Sequence, residues 1–214
     1  MLIFAAADIH GRPERLAAIE DHIASYRPDV LVLAGDISRW WKPQETLEPL
    51  GRLPLPVFLV RGNSDSRRLE KLLPHYANLH SLHLTRKTID AIDFVGCGGT
   101  VPLPFHSRLG FKESAMAERL SNMLQPGGVL VVHPPPYGVR DRVLGKFHAG
   151  SRAVKRLVAH CSPALVICGH IHEQAGVAVS GETMVVNCAV NRGCGGVMIH
   201  FDGRSVAECK LLQG

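Results

Sequence analysis

Five short apolar segments of this chain are each followed at once by polar residues that can bind a metal ion. Helix-like segments alternate with these apolar ones, which is the pattern of an α/β domain. In an open α/β sheet, ligands bind beyond the carboxyl ends of the strands. The sequence therefore predicts that the polar residues meet at one edge of the sheet. They are Asp8, His10, Asp36, Asn63, His133, His170 and His172.

Apolar runs and chain-breaking residues predict the order of the elements. Strands are expected at residues 2–7, 30–34, 57–60, 129–132 and 164–168, with an antiparallel hairpin over 81–95. Helices are expected at 13–26, 46–50, 66–73, 111–124 and 151–160. Further strands are expected at 176–179, 183–188, 196–201 and 205–211, and irregular loops at 96–110 and 134–150. No linker is long or polar enough to mark a boundary, so one α/β domain over residues 1–214 is predicted.

The composition excludes several classes of protein. Apolar residues make up 46% and charged residues 20% of the 214 residues, which argues against a disordered or fibrous chain. No apolar run reaches the roughly 18 residues that a membrane span needs, so no membrane partner is expected. The net charge of +5 is mild and comes without a long basic block. Extended nucleic acid is therefore not an expected partner.

The N-terminal segment and the cysteines indicate a cytoplasmic protein. No basic residue precedes the first apolar run, and Asp8 follows that run too soon for a signal peptide. The six cysteines form no C-x-x-C pair and lie mostly in apolar or glycine-rich surroundings. We therefore expect buried free thiols in a reducing compartment. Exposed edges among the C-terminal strands make a homodimer an open alternative.

The seven polar residues at the strand ends offer two carboxylates, four imidazoles and one amide oxygen. Seven donors are too many for one ion, but they suit two ions that share one carboxylate. Imidazole with carboxylate suits Mn, Fe, Zn, Ni or Co, and the lack of thiolate argues against a structural zinc site. Singly, such an aspartate is more often a turn or cap residue, and such a histidine a surface residue. Five signals in order, each after an apolar strand, favour a metal site.

The ordered set D-x-H, G-D, G-N-x-D, H and G-H-x-H resembles the motifs of the calcineurin-like metallophosphoesterases. The residues that carry the resemblance run from Asp8 to His172, and the strand-rich C-terminal part also suits that family. The segments 148–151 and 169–173 are similar to those of a small prokaryotic branch. The resemblance implies an α/β fold of four layers, an αββα sandwich in which two packed mixed β-sheets are flanked by helices.

The resemblance also implies a dinuclear metal centre and its ligands. One ion would be held by Asp8, His10, Asp36 and His172. The second would be held by Asp36, Asn63, His133 and His170, so that Asp36 bridges the two ions. Mn²⁺ is the expected metal, with Fe, Zn, Ni, Co and Mg as alternatives.

The implied reaction is hydrolysis of a small phosphate ester by a hydroxide that bridges the two ions. Asn63 and the ions would stabilise the charge that develops on the phosphoryl oxygens. Asp65 is a candidate for orienting a histidine ligand, and a turn or helix-cap role is the alternative.

Ser64 departs from the family pattern. Many members carry a histidine at this position, which protonates the leaving oxygen, whereas a serine hydroxyl is a poor proton donor near neutral pH. The departure favours a phosphodiester or a good leaving group, or else another acid, for which His10 and His148 are candidates. The alternatives are a phosphomonoesterase or protein phosphatase of the same fold, and a non-catalytic metal-binding scaffold that recruits protein partners.

Four residues are candidates for contacts with the substrate: His148, Ser151, Arg140 and His106. Arg140 is able to contact phosphate, although solvated loop charge is the alternative. Ser151 opens a predicted helix, whose N-terminus attracts anions, although capping alone explains a serine there. His106 lies in the predicted loop over 96–110 and is able to line the site.

Overall fold

Two mixed β-sheets of six strands each form the centre of the described part of the chain. The computed structural model describes residues 1–103, 106–110 and 112–214, and strands and helices are numbered along the chain. The first sheet contains β1 (Leu2–Ala6), β2 (Val30–Ala34), β3 (Val57–Val60), β4 (Leu79–Ser81), β15 (Val197–Phe201) and β16 (Val206–Leu211). The second contains β5 (Thr85–Ile89), β6 (Ile92–Cys97), β9 (Val129–Val132), β12 (Leu165–Cys168), β13 (Gly176–Ser180) and β14 (Thr183–Asn187).

Parallel strands lie in the middle of both sheets. The first sheet has the order β16-β15-β1-β2-β3-β4, in which β1 to β4 run parallel and β15 and β16 are added antiparallel. The second has the order β13-β14-β12-β9-β6-β5, in which the four central strands run parallel and both outer strands are antiparallel. The carboxyl ends of neighbouring parallel strands therefore lie side by side in each sheet.

Five α-helices cover the outer faces of the sheets in the described ranges. They are α1 (Pro13–Tyr26), α2 (Pro43–Leu50), α3 (Arg67–Leu72), α4 (Glu113–Met123) and α5 (Arg152–Cys161). Residues of the first three helices join the apolar cluster on the first sheet, and residues of the last two join the cluster on the second. The prediction of a four-layer αββα sandwich is confirmed.

The third apolar cluster lies between the two sheets and explains the continuous apolar strands. In β2, Val30 and Val32 face the other sheet, whereas Leu31 and Leu33 face the helices. All four side chains are fully buried. Burying one such side chain contributes about 1.5–3 kcal/mol, so a strand buried on both faces needs an unbroken apolar run.

Some element boundaries differ from those predicted. The helix expected at 46–50 begins at Pro43, because proline is well suited to the first helical turn. Residues 79–81, partly included in the predicted hairpin, form β4 in the first sheet. The helix expected from residue 111 begins at Glu113, and Phe111 itself lies outside the described residues.

The predicted loops contain short strands. Residues 96–110 include β7 (Val101–Leu103) paired with β8 (His106–Arg108), and residues 104 and 105 lie outside the described part of the chain. Residues 134–150 include β10 (Arg142–Val143) paired with β11 (Phe147–His148). Two 3₁₀ turns, Leu73–His75 and His172–Gln174, complete the helical segments described.

All six cysteines are free thiols, and five of them are buried, as the sequence predicts. None of the helices in the described ranges combines the length and apolar character needed to cross a bilayer. The assignment of the whole chain to one domain stays a prediction.

Candidate metal centre

The seven candidate ligands come from the carboxyl ends of strands in both sheets rather than from one sheet. Asp8, His10, Asp36 and Asn63 follow β1, β2 and β3 of the first sheet, and His133, His170 and His172 follow β9 and β12 of the second. The end of β1 joins the second sheet through the Ala7 amide, which donates to the Cys188 carbonyl at 3.0 Å. The two sheets therefore present their polar ends to the same place, which corrects the expectation of a single sheet edge.

Two groups of side chains lie close enough to hold metal ions. Asp8, His10 and His172 form one group, and Asp8, Asp36 and His133 form the other, with the ligand atoms of each group within 4.8 Å of one another. His172 Nε2 lies 3.0 Å from Asp8 Oδ1. These groups contain five of the seven predicted ligands.

Asp8 belongs to both groups, and Asp36, a member of the second, also lies near a histidine of the first. The Oδ2 atom of Asp36 is 3.9 Å from His10 Nε2 and 3.6 Å from His133 Nε2. Asn63 adds an oxygen, because its Oδ1 atom lies 3.2 Å from His133 Nε2. Oδ2 of Asp36 is thus flanked by histidine nitrogens of both groups.

Four of these side chains have one polar atom held by the protein and the other turned toward the centre. Oδ2 of Asp8 accepts from the His170 amide at 2.9 Å, and Oδ1 of Asp36 accepts from the Ser64 amide at 2.8 Å. His133 Nδ1 lies 2.8 Å from the Ala34 carbonyl, to which it donates, and His10 Nδ1 lies 3.2 Å from Ser64 Oγ. Such bonds fix ring orientation and tautomer in metal sites.

Oδ1 of Asp8 is the polar atom that points most directly to a cation. It is buried and makes no well-formed hydrogen bond among the described residues. His172 Nε2 lies 3.0 Å from this oxygen, and His133 Nε2 lies 4.0 Å from it. A buried carboxylate oxygen without a hydrogen bond is costly, and a bound cation satisfies it. The donor set therefore fits a metal ion.

Four candidate ligands adopt a left-handed backbone conformation. Their φ angles are 61° for Asp8, 54° for His10, 52° for Asp36 and 71° for His170. This conformation is unfavourable for residues with a Cβ atom and occurs preferentially at functional sites. Hydrogen bonds between the strand ends maintain it: the Asp8 amide donates to the Gly35 carbonyl at 2.9 Å, and the His10 amide to the Asp36 carbonyl at 2.8 Å.

Glycines allow the loops to approach the two carboxylates. A Cβ atom on Gly62 would lie 2.0 Å from Asp36 Oδ1, and one on Gly169 would lie 2.6 Å from Asp8 Oδ2. Neither position leaves room for a side chain, because the Asp36 amide nitrogen and the Ala7 Cβ atom, respectively, would also lie at 2.5 Å. The glycines of the G-N and G-H motifs are therefore part of how the carboxylates are placed.

Burial and opposite charges set the pKa values of Asp36 and His133. Burial alone would raise the pKa of Asp36, but the His133 ring and the Ser64 hydrogen bonds hold it well below its usual range. Burial opposes a charge on His133, yet Asp36 and Asp8 raise its pKa to about 9. The His133 ring therefore carries a proton near neutral pH, and this proton has to leave when a metal ion binds.

The other three histidines among the candidate ligands differ in pKa because their surroundings differ. Burial and the neighbouring His133 lower the pKa of His170 to about 4. Burial also lowers the pKa of His10, against the attraction of Asp36. The Asp8 carboxylate, whose Oδ1 lies 3.0 Å from the His172 Nε2 atom, raises the pKa of His172. His10 and His170 are therefore held in the neutral form that binds metals.

The family model for calcineurin-like phosphoesterases matches residues 1–174. The chain belongs to this family. It is 31% identical to the uncharacterized protein MJ1162 of Methanocaldococcus jannaschii, over 87% of each chain. Its fold is similar to that of TT1561 of Thermus thermophilus, at a TM-score of 0.73 and 17% identity over 98% of each chain. It is also similar to a dimetal phosphatase from Danio rerio, at a TM-score of 0.67 and 13% identity, covering all of this chain and 98% of that one.

His170, a predicted ligand of this calcineurin-like phosphoesterase, belongs to neither group but lies next to the second. The His170 ring lies beside that of His133, with 5.0 Å between ring centroids. Its Nε2 atom lies 3.1 Å from Ser107 Oγ. The structure thus brings His170 to the centre but pairs its ring nitrogen with a serine, and Ser107 carries no motif that would have marked it in the sequence.

The contacts of Asp65 agree with the turn role that was the alternative to orienting a histidine. Its buried carboxylate accepts from the amides of Ile37 and Gly62, and from both the amide and the hydroxyl of Ser38, at 2.8–3.1 Å. Burial raises its pKa despite these bonds. Asp65 therefore ties together the two loops that carry Asp36 and Asn63, and no described histidine is bonded to it.

Two of the predicted substrate contacts, Ser151 and Arg140, bond to other parts of the fold. Ser151 is buried, and its hydroxyl accepts from the Val154 amide at 3.2 Å as the N-cap of α5. The Arg140 side chain packs on Gly176 and donates to the Val177 carbonyl through Nε at 3.0 Å. Both side chains are bonded within the fold, and their contact with a substrate stays a prediction.

The other two predicted substrate contacts, His148 and His106, differ in their hydrogen bonds. His148 is part of a pair, because its Nδ1 atom lies 2.6 Å from Oδ1 of the buried Asp141. His106 makes no hydrogen bond to a candidate ligand within the described residues, whereas Ser107 next to it contacts His170. Asp141 was not predicted, since it stands seven residues before His148 in a loop without a repeating pattern.

Proposed function

We propose that this chain is a metal-dependent phosphoesterase that hydrolyses phosphodiesters with two divalent ions. The observation that carries the proposal is the placement of Asp36, whose Oδ2 atom lies 3.9 Å from His10 Nε2 and 3.6 Å from His133 Nε2. A carboxylate oxygen with histidine nitrogens on both sides is the arrangement that a shared ligand needs. Membership of the calcineurin-like family supports it.

The proposed ligands are those that the motifs indicate. Asp8, His10, Asp36 and His172 would hold one ion, and Asp36, Asn63, His133 and His170 the other. Mn²⁺ is the proposed metal, because mixed carboxylate, amide and imidazole ligands suit it. When bound, such ions supply an activated water and compensate the charge of the phosphoryl oxygens.

The protein's own contribution is to place and hold these groups. Hydrogen bonds from His170 and Ser64 turn one oxygen of each carboxylate toward the centre. Asn63 Oδ1 faces His133, which leaves the amide NH₂ group to donate to a phosphoryl oxygen. Because these groups are fixed before substrate binds, little reorganisation accompanies the reaction.

The preference for a diester rests on the absence of an imidazole at position 64. The Ser64 hydroxyl is already engaged with His10 Nδ1. We propose His148 as the proton donor for substrates with poor leaving groups, because Asp141 holds its Nδ1 atom and leaves Nε2 for donation. The carbonyl of Ala149, next to His148, accepts from Ser107 Oγ, which also contacts His170.

The test compares bis(4-nitrophenyl) phosphate with 4-nitrophenyl phosphate after chelation and after addition of Mn²⁺. We expect turnover only with Mn²⁺, a higher kcat/KM for the diester, and loss of turnover in Asp36→Asn. Asp90→Asn, in the turn between β5 and β6, is the matched control and should retain activity. A faster monoester reaction would support a phosphomonoesterase, and no metal-dependent turnover on either compound would support a binding scaffold.

A cytoplasmic location and a homodimer stay predictions. The six free thiols agree with a reducing compartment. The outer strand β16 carries the exposed Leu211 and is able to pair with a second chain.

A further inference from the structure

A cavity of about 770 Å³ opens beside Asn63. Residues of α3, of the segment 98–101 and of α4 line its walls. Its volume lies within the range of sites that bind small molecules. Because it adjoins one proposed ligand of the metal centre, it is placed to receive a group attached to the phosphate.

Cationic side chains outnumber carboxylates around this cavity. Arg61, Arg67, Lys112 and Arg119 line it, against Asp65 and Glu70. Both carboxylates are already engaged: Asp65 binds backbone amides, and Glu70 Oε1 lies 2.9 Å from Arg61 Nε. Arg67, Lys112 and Arg119 form no ion pair with a described carboxylate. Three positive charges therefore line the cavity without an ion-pair partner among the described carboxylates.

The rest of the wall combines apolar side chains with the polar side chains of Asn63, His83 and Thr100. Trp40, half exposed, lines the cavity together with Leu109 and Met116. Thr100 is 7% exposed, and its hydroxyl oxygen has no hydrogen-bond partner among the described residues. A flat or apolar body fits between such walls, and a buried hydroxyl without a partner favours a ligand that carries a polar group.

We propose that this cavity binds one ester group of the phosphodiester and selects a group that carries a second anion. The ester group would lie against Trp40 and Met116, and its anion, a carboxylate or a phosphate, would be bound by Arg67, Arg119 and Lys112. The inference rests on the proposed function, since it names the class of substrate that the same centre would hydrolyse.

The test compares two diesters that differ only in charge. Bis(4-carboxyphenyl) phosphate carries the second anion on either ester group, and bis(4-carbamoylphenyl) phosphate is its neutral counterpart. The kcat/KM of each is measured with Mn²⁺, and the Kd of each is measured by titration calorimetry in chelator. We expect the carboxylate compound to have a kcat/KM about tenfold higher and the lower Kd.

Variants of exposed residues assign this preference to the cavity. In Arg67→Ala and in Arg119→Glu, the ratio of kcat/KM between the carboxylate and the carbamoyl compound should fall close to one. The ratio of their Kd values should also come close to one. Arg68→Ala is the matched control, because this exposed arginine is the neighbour of Arg67 on α3 and does not line the cavity. It should keep the ratios of the unchanged protein.

Two results would overturn the inference: equal values for the two compounds in the unchanged protein, or ratios that Arg67→Ala and Arg119→Glu leave intact. If Mn²⁺ promotes hydrolysis of neither compound, the proposed function is wrong. The Kd comparison in chelator does not depend on turnover and still decides whether the cavity selects an anion.

Discussion

The hydroxyl of Ser64 lies 3.2 Å from Nδ1 of His10, at the position where many calcineurin-like phosphoesterases carry a histidine. The amide of the same residue donates to Asp36 Oδ1 at 2.8 Å. One serine therefore orients two proposed ligands of the metal centre. The residue that departs from the family pattern has a positioning role in this chain.

Removal of this hydroxyl should weaken metal binding. We expect Ser64→Ala to raise the Kd for Mn²⁺ by about 10-fold or more, because the His10 ring loses the bond that fixes its orientation. Titration calorimetry measures the change. Ser66→Ala is the matched control, since its hydroxyl is buried without a partner among the described residues. An unchanged Kd in Ser64→Ala would show that the contact has no positioning role.

Metal binding should release protons near neutral pH. The pKa of His133 is about 9, so its ring is protonated there, and only the neutral ring binds a metal. The apparent affinity for Mn²⁺ should therefore rise with pH up to about 9, with release of about one proton from His133. Calorimetry in buffers of different ionisation enthalpy gives the proton count.

The control for this measurement is His200→Ala, which removes an exposed histidine of β15. It should leave the proton count unchanged. An affinity that is independent of pH, with no proton released, would contradict the coupling of His133 to Asp36.

Gly62 should tolerate no side chain. We expect Gly62→Ala to lower the free energy of unfolding by about 1–3 kcal/mol and to weaken Mn²⁺ binding, because its Cβ atom would lie 2.0 Å from Asp36 Oδ1. Urea unfolding measures the first effect. Gly193→Ala is the control, because its Cβ atom would meet the nearest atom at an ordinary 3.6 Å. Equal stabilities of the two variants would refute the argument.

The Asp65 carboxylate should contribute to the free energy of unfolding more than to metal binding. In Asp65→Asn, one oxygen becomes an NH₂ group that faces amide donors. Each donor left without a partner costs about 1–3 kcal/mol, so the free energy of unfolding should fall by at least that amount. Urea unfolding of the metal-free protein measures it. A variant that unfolds like the unchanged protein but has lost Mn²⁺ affinity would instead support the predicted histidine-orienting role.

The sequence predicts the strands, and which polar residues follow them, because both depend on local patterns. Strand β2 is an unbroken apolar run, buried on both faces, and its observed bounds are those predicted. The polar residues after such strands meet because parallel strands end together. That they come from two sheets follows from how the sheets pack, which the apolar pattern does not specify.

Loop contacts explain most of what the sequence did not predict. Asp65 binds the amides of another loop, and Arg140 binds the Val177 carbonyl, 37 residues away. Ser107 meets His170 across 63 residues. These partners depend on loop conformations that no periodic pattern encodes, so the sequence left more than one role open for Asp65 and Arg140.

The central claim is that two ions share Asp36. The most direct test is anomalous diffraction from crystals of the Mn²⁺-loaded protein. The account predicts two manganese peaks about 3.5–4 Å apart, both in contact with the Asp36 carboxylate. A single peak, or peaks that do not contact Asp36, would contradict it.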